Sequence, residues 1–248
     1  MSFQDHFSTQ ASVYARARPH YPPALFAELA ALAPARRLAW DCGTGNGQAA
    51  VGLAAHFGQV VATEPSAAQL AEAVPHPRVR YERSAERAPG VGDATVDLVT
   101  AAQAAHWFDR PAFYAEVRRV LRPGGVIALW TYELCSIDGA VDAAIRRFYK
   151  GAIGPYWPPE RRHCETGYRE LEFPFDELPF PPVAMEHDWT LGELAAYLRS
   201  WSAVTRYARA HGHDPVAELE AELAPLWGAG WRHVTWPLSG RIGRVPSR

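Results

Sequence analysis

Leu38-Ala39-Trp40-Asp41-Cys42-Gly43-Thr44-Gly45-Asn46-Gly47-Gln48 is the stretch that decides the fold. An apolar run ends in an acid, and three glycines alternate after it. Val51, Leu53, Ala54 and Phe57 then recur at helical spacing, and Gly58 closes the pattern. This reads as a strand turning sharply into a helix. Glycines at such a turn let the backbone bend and let a ligand approach with no Cβ atoms in the way. The N–H groups at the start of the helix suit an anionic or carboxylate-bearing part of that ligand.

The same rhythm extends to both sides. Pro22-Pro23 opens a predicted helix over 24–33, with Leu25, Leu29 and Leu32 on one stripe. Strands are predicted at 38–41, 59–63, 79–82, 96–101 and 126–132. Helices are predicted at 48–57, at 66–74 with Ser66 as cap, and at 113–121. Arg122-Pro123-Gly124-Gly125 has the central residues of a type II turn. Strand–helix alternation with short links predicts a mostly parallel sheet covered on both faces. Past Tyr132 the rhythm changes: a helix over 137–149, a proline- and aromatic-rich stretch over 155–182, and helices at 191–198, 202–210 and 216–226. An alternating tail at 232–244 is expected to return to the sheet. No soft linker divides the chain, so 1–248 is read as one domain.

Composition narrows the function. Of 248 residues, 48% are hydrophobic and 21% charged, enough for a sizeable core and too apolar for a disordered chain. Basic residues number 25 against 27 acids, which argues against a nucleic-acid binder with a broad basic face. Three widely spaced cysteines give no disulfide framework, and His163-Cys164 and His211-Gly212-His213 lack zinc spacing, so no metal is expected. The start lacks a basic and an apolar signal region, and no apolar run approaches the ~20 residues of a membrane span. A cytoplasmic protein that does not meet a membrane is the expectation. Six of the nine tryptophans fall between Trp157 and Trp236 and call for a reason.

Glu64 ends the second predicted strand, where an acid can accept hydrogen bonds from both hydroxyls of a ribose. Gly45 to Ala50 also satisfies G-x-G-x-x-A, so an NAD(P)-dependent oxidoreductase is the competing reading. Asp41 argues against it: a carboxylate at the strand end repels a pyrophosphate and suits an ammonium or a sulfonium.

Asp41, Gly43, Gly45 and Gly47 form D-x-G-x-G-x-G, and here the chain resembles the class I S-adenosylmethionine-dependent methyltransferases. Asp97, Leu121-Arg122-Pro123-Gly124-Gly125, and Ser84-Ala85-Glu86 resemble further family signposts, over about 38–130. The resemblance implies a Rossmann-like, seven-stranded, mostly parallel sheet with helices on both faces and an aromatic-rich helical cap. It divides the domain into a cofactor-binding core at about 24–132, a substrate cap at about 133–231 and a returning strand at about 232–244. It implies S-adenosylmethionine as cofactor, held by Asp41, Gly43, Thr44, Gly45, Gly47, Glu64, Ser84, Ala85 and Gln103, with Arg18 folding over it from the N-terminus.

A narrower likeness lies in Ala101-Ala102-Gln103-Ala104-Ala105-His106-Trp107-Phe108-Asp109 and in the stretch from Tyr14 to Pro22. Both are similar to the type 11 group, in its trans-aconitate methyltransferase-like branch, as are Trp201 to Tyr207 and Val234 to Leu238. This implies a small organic acceptor, a carboxylic acid or a hydroxyl. The Asn/Asp-Pro-Pro-Tyr/Phe motif of exocyclic-amine methyltransferases is missing, which argues against nucleic acid as substrate. His106 is the candidate catalytic base; with a carboxylate acceptor it would orient the substrate instead. Tyr14, Trp107 and Trp201 are the candidate acceptor wall, against the alternative that such aromatics serve the core. A cofactor-binding relative without activity is the remaining reading, and the oligomeric state is left open.

Overall fold

The computed structural model describes residues 19–245, so the expectations for Tyr14 and Arg18 lie outside the described residues. Helix α1 (Pro23–Leu32) precedes β1 (Leu38–Cys42), α2 (Gln48–Ala54), β2 (Gln59–Thr63), α3 (Ala67–Ala71), β3 (Val79–Glu82) and β4 (Val96–Ala102). A single 3₁₀ turn (Ala105–Trp107) leads to α4 (Arg110–Val120) and β5 (Leu121–Tyr132). All five strands run parallel, with β1 at the centre between β2 and β4. Every residue of β4 from Val96 to Ala101 is buried, as a strand covered on both faces requires.

The two-residue period of the strands sorts their side chains into two cores. Ala39, Val60, Ala62, Leu98 and Trp130 pack against α1 and α2 on one face. Trp40, Val61, Val99, Ile127 and Leu129 pack against Phe113, Val117 and Val120 of α4 on the other. Asp97 is a buried carboxylate on this face. It is fully buried, accepts the N–H groups of Arg37 and Leu38, and lies 2.8 Å from the Arg122 guanidinium. It thus ties the start of β1 to β4 and to the entry of β5.

Beyond Tyr132 come α5 (Gly139–Lys150), α6 (Arg162–Glu165), β6 (Asp176–Leu178), β7 (Ala184–Trp189), α7 (Leu191–Arg199), α8 (Ser202–His211), α9 (Val216–Trp227) and β8 (Arg232–Arg244). The tail returns as expected: β8 pairs antiparallel with β5, Trp130 opposite Gly240, and completes the order β3-β2-β1-β4-β5-β8-β6. The fold is the expected Rossmann-like one, with an eighth strand, β7, paired to the first half of β8. Neither β6 nor β7 stands out in the sequence. β6 has three residues, and β7 carries Glu186, His187 and Asp188 along one short run. The expected 122–125 turn is drawn into β5, whose ladder begins at Leu121 opposite Val96, though Gly124 keeps a left-handed φ of +74°. Helix α4 starts earlier than its apolar spacing suggests, because the Asp109 carboxylate caps it by accepting the Ala112 N–H.

The tryptophan surplus sorts into a ladder. Trp236 meets Trp189 at 4.7 Å between ring centres, Trp189 meets Tyr197 at 5.5 Å, and Tyr197 meets Trp201 at 5.6 Å. Trp201 then meets Trp157 at 5.6 Å. This edge-on and tilted series runs from β8 through α7 to the loop before α6. Trp231 stands apart at 70% exposure. Among the described residues, no helix is long and apolar enough to cross a membrane.

Candidate active site

The glycine loop sits where β1 hands over to α2, at the carboxyl edge of the sheet. Gly43 and Thr44 both donate their N–H groups to the Thr63 carbonyl at the end of β2, which pins the loop to its neighbour strand. Gly45 and Gly47 both have left-handed backbones, with φ of +58° and +87°. Their surroundings differ. A Cβ on Gly47 would lie 2.2 Å from the Tyr81 hydroxyl, whereas one on Gly45 would find only Gln69 Oε1, at 3.8 Å, and otherwise open cavity. Gly47 is therefore required by packing, and Gly45 by a backbone left bare beside a cavity.

Asp41 is fully buried and does not line that cavity. Its two oxygens accept the hydroxyls of Thr44 and Thr100, each at 2.6 Å. Burial pushes its pKa up to about 6 against the pull of these two hydroxyls, and the Glu64 charge adds to the rise. Expected to face a ligand, Asp41 reaches the cavity only through Thr44, whose position it holds. Glu64 is also buried, at 8% exposure, yet it does line the cavity. It accepts the Gly45 N–H on one oxygen and the Ser66 N–H on the other, each at 3.0 Å. These two backbone bonds fix the plane of the carboxylate at the cavity edge.

One cavity of about 1210 Å³ brings together Gly43, Thr44, Gly45, Glu64, Ala85, Gln103 and Trp107. Pro19 and Tyr21, just after the segment of Tyr14 and Arg18, line it too. Ser84 does not; it donates its N–H to the Glu64 carbonyl and so positions Ala85 behind it. Pro158, Glu160 and Arg206, from beyond β5, complete the wall. Such a volume exceeds what a single small ligand needs and fits a nucleoside ligand beside a second molecule. The residues suit a nucleoside carrying an amino-acid tail. Glu64 presents a fixed carboxylate, Gly45 offers bare backbone, and the buried Gln69 Oε1 is an acceptor without a hydrogen-bond partner.

Gln103, at the turn after β4, has a left-handed backbone at φ +55°, uncommon for a side-chain-bearing residue and a sign of local constraint. Its N–H bonds the Trp130 carbonyl, and its side-chain oxygen accepts the Thr131 hydroxyl at 2.9 Å. That contact turns the amide nitrogen the other way, where it is buried without a partner. Gln103 borders a second, smaller pocket of about 40 Å³, which shares Gln103, Trp107, Tyr132 and Pro158 with the large cavity. His106 and Trp201 line this small pocket. His106 is buried at 6% exposure, with Nδ1 3.1 Å from the Tyr168 hydroxyl and 3.4 Å from the Cys164 sulfur. Burial lowers its pKa to about 3, helped by the positive charge of Arg161 and by His163, so the imidazole is neutral throughout the physiological range. Tyr168 presses against it from a left-handed backbone at φ +63°.

Tyr132, Gln69 and Arg161 were not singled out from the sequence. Gln69 lies in a short alanine-rich helix with no motif, and Arg161 follows three prolines in a stretch with no periodicity. Only their placement in the fold brings them to the cavities. Among the described residues no group of histidine, cysteine and acidic side chains could hold a metal ion.

The glycine loop, Glu64, Ala85, Gln103 and Trp107 lie within residues 40–129, the part of the chain that matches the methyltransferase domain family. A Dictyostelium discoideum protein named as a candidate methyltransferase is 32% identical over 225 residues, covering 89% of this chain and 86% of that protein. A Saccharomyces cerevisiae protein named as a candidate S-adenosylmethionine-dependent methyltransferase is 26% identical over 238 residues, covering 82% of each. A solved structure from Anaeromyxobacter dehalogenans, described as a candidate type II methyltransferase, is 48% identical. It superimposes with a TM-score of 0.87, over 92% of this chain and 99% of that one. With the sheet order, the glycine loop and the strand-end acid, these likenesses show that the chain belongs to the class I S-adenosylmethionine-dependent methyltransferases.

Proposed function

We propose that the protein binds S-adenosylmethionine in the large cavity and transfers its methyl group to a small organic acceptor, a carboxylic acid or a hydroxyl. The observation that carries this reading is Glu64, whose carboxylate is fixed by two backbone N–H groups at the edge of a cavity floored by Gly45. When bound, the cofactor supplies an electrophilic methyl group on a sulfonium. The work left to the chain is to hold, align and keep out water. Glu64 receives the ribose hydroxyls, the Gly43–Gly45 backbone lies along the amino-acid tail, and Ala85 with its neighbours borders the base. Asp41 keeps Thr44 and the loop in place from behind. Tyr14 and Arg18 are assigned to the segment that folds over the site.

Residues 133–231 act as the acceptor cap, and Trp107 and Trp201 wall the acceptor pocket. His106 faces the acceptor pocket as a neutral imidazole. With its pKa lowered to about 3 it is a weak proton acceptor, so orienting the acceptor is the role that its surroundings support. The likeness of residues 101–109 to the trans-aconitate methyltransferase-like branch supports the small-acceptor reading. A nicotinamide-dependent oxidoreductase fits less well: the dinucleotide-binding sheet has six parallel strands in two matching halves, and here antiparallel β8 stands in the place of the sixth. The test is calorimetric titration with S-adenosylhomocysteine. Glu64→Ala loses two charge-assisted hydrogen bonds to the ribose and is expected to bind roughly 10- to 100-fold more weakly. Unchanged affinity would show that the acid serves the loop alone and would overturn this reading.

A further inference from the structure

The small pocket beside Gln103 has a one-sided chemistry. Arg161 is its only charged side chain, and no acidic residue lines it. The guanidinium lies 5.0 Å above the Trp157 ring, and its Nε donates to the Tyr149 hydroxyl at 3.2 Å. The Glu165 carboxylate is engaged by the same tyrosine, whose hydroxyl donates to it at 2.6 Å. Among the described residues, neither terminal nitrogen of Arg161 has a hydrogen-bond or ion-pair partner. A guanidinium is charged at every accessible pH and presents its donors as a planar fork, so leaving that fork unmatched inside an aromatic pocket is costly.

Two further donors border the same space without partners: the Gln103 amide nitrogen and the Trp157 indole N–H, both buried. The Thr131 hydroxyl holds the Gln103 amide oxygen, which keeps the NH₂ group as the face that Gln103 can offer. The neutral His106 adds no negative charge. The pocket thus gathers one permanent cation and two unmatched N–H donors with no anion among them. Its volume of about 40 Å³ holds a small polar group and excludes a whole substrate. Its shared wall with the large cavity, through Gln103, Trp107, Tyr132 and Pro158, leaves the rest of such a molecule on the side of the proposed methyl donor.

We infer that this pocket is an anion subsite in which Arg161, with the Gln103 amide and the Trp157 indole, holds a carboxylate group of the methyl acceptor. The inference rests on the methyltransferase reading and deepens it: the acceptor is a carboxylate-bearing molecule with an apolar body, anchored from the cap. Carboxylate fits the space better than a bulkier tetrahedral anion, and its two oxygens match the fork of Arg161.

The test uses the full chain saturated with S-adenosylhomocysteine. Benzoate, phenylacetate and succinate are titrated calorimetrically against benzamide, phenylacetamide and succinamide, which keep the shape and lose the charge. At least one acid is expected to bind roughly tenfold or more tightly than its amide. Arg161→Met, which keeps the packing on Trp157, is expected to bring that acid down to the level of the amide while S-adenosylhomocysteine affinity stays the same. Arg161→Lys is expected to retain part of the preference. Acids and amides that bind alike, an acid preference that survives in Arg161→Met, or no binding of any acid would overturn the subsite. Failure of S-adenosylhomocysteine itself to bind would overturn the methyltransferase reading and the subsite with it, so the two failures are told apart in one titration series.

Discussion

Gly45 and Gly47 share a backbone handedness and differ in what a side chain would meet, which separates folding from binding at single residues. Gly45→Ala has open space, so its cost is that of a left-handed alanine, about 1 kcal/mol in urea unfolding. Its methyl group, however, enters the cavity floor, and S-adenosylhomocysteine affinity is expected to fall at least tenfold. Gly47→Ala drives a Cβ into Tyr81 and is expected to cost roughly 2–4 kcal/mol. Equal stability losses for the two would contradict this division. Asp41 makes a pH prediction. Its carboxyl binds a proton more readily folded than unfolded, since its pKa rises from the ordinary 3.8 to about 6. The folded state is therefore favoured at low pH by this group, and that contribution is lost as pH rises from about 4 to about 6. Stability of the native chain relative to Asp41→Asn is expected to fall by about 3 kcal/mol across that window. A difference that stays flat with pH would show Asp41 titrating as an exposed acid does.

At the level of elements, Asp97 couples three of them with one buried carboxylate. Removing it leaves the Arg37 and Leu38 N–H groups and the Arg122 guanidinium without their acceptor. Asp97→Ala is expected to cost roughly 3–5 kcal/mol in urea unfolding while leaving the cofactor residues in place. A loss under 1 kcal/mol would mean that water replaces the carboxylate. The elements also mark where sequence periodicity stops being informative. Strands β1, β2, β4 and β5 are legible because burial on both faces demands mostly apolar runs, β3 at the sheet edge because Val79 and Tyr81 alternate with polar residues, and the glycine loop because only glycine takes its backbone angles beside Tyr81. β6 and β7 are short and polar and gain their order by pairing with β8, a partner dozens of residues away. Gln69 and Arg161 are equally opaque, since a glutamine in a five-residue helix and an arginine among prolines acquire meaning only from the cavities they border. His106 is legible by its place after β4, yet its neutrality comes from burial and from the charges of Arg161 and His163, more than fifty residues further along the chain.

For the whole molecule, the aromatic ladder takes up four of the six late tryptophans. It links returning strand β8 through α7 to Trp157, so the segment after β5 and the wall of the small pocket form one packed series. The large cavity takes lining residues both from the loops of the sheet and from the segment after β5. Anything that binds the folded chain and not the unfolded one raises its melting temperature, by about 2.7 kcal/mol of added stability at a hundredfold excess over Kd. The most direct measurement is therefore thermal unfolding of the full chain with S-adenosylmethionine, S-adenosylhomocysteine or NAD at equal concentration. Concentration-dependent stabilisation by the two adenosyl compounds and none by NAD is the predicted result. Stabilisation by NAD alone would contradict the account.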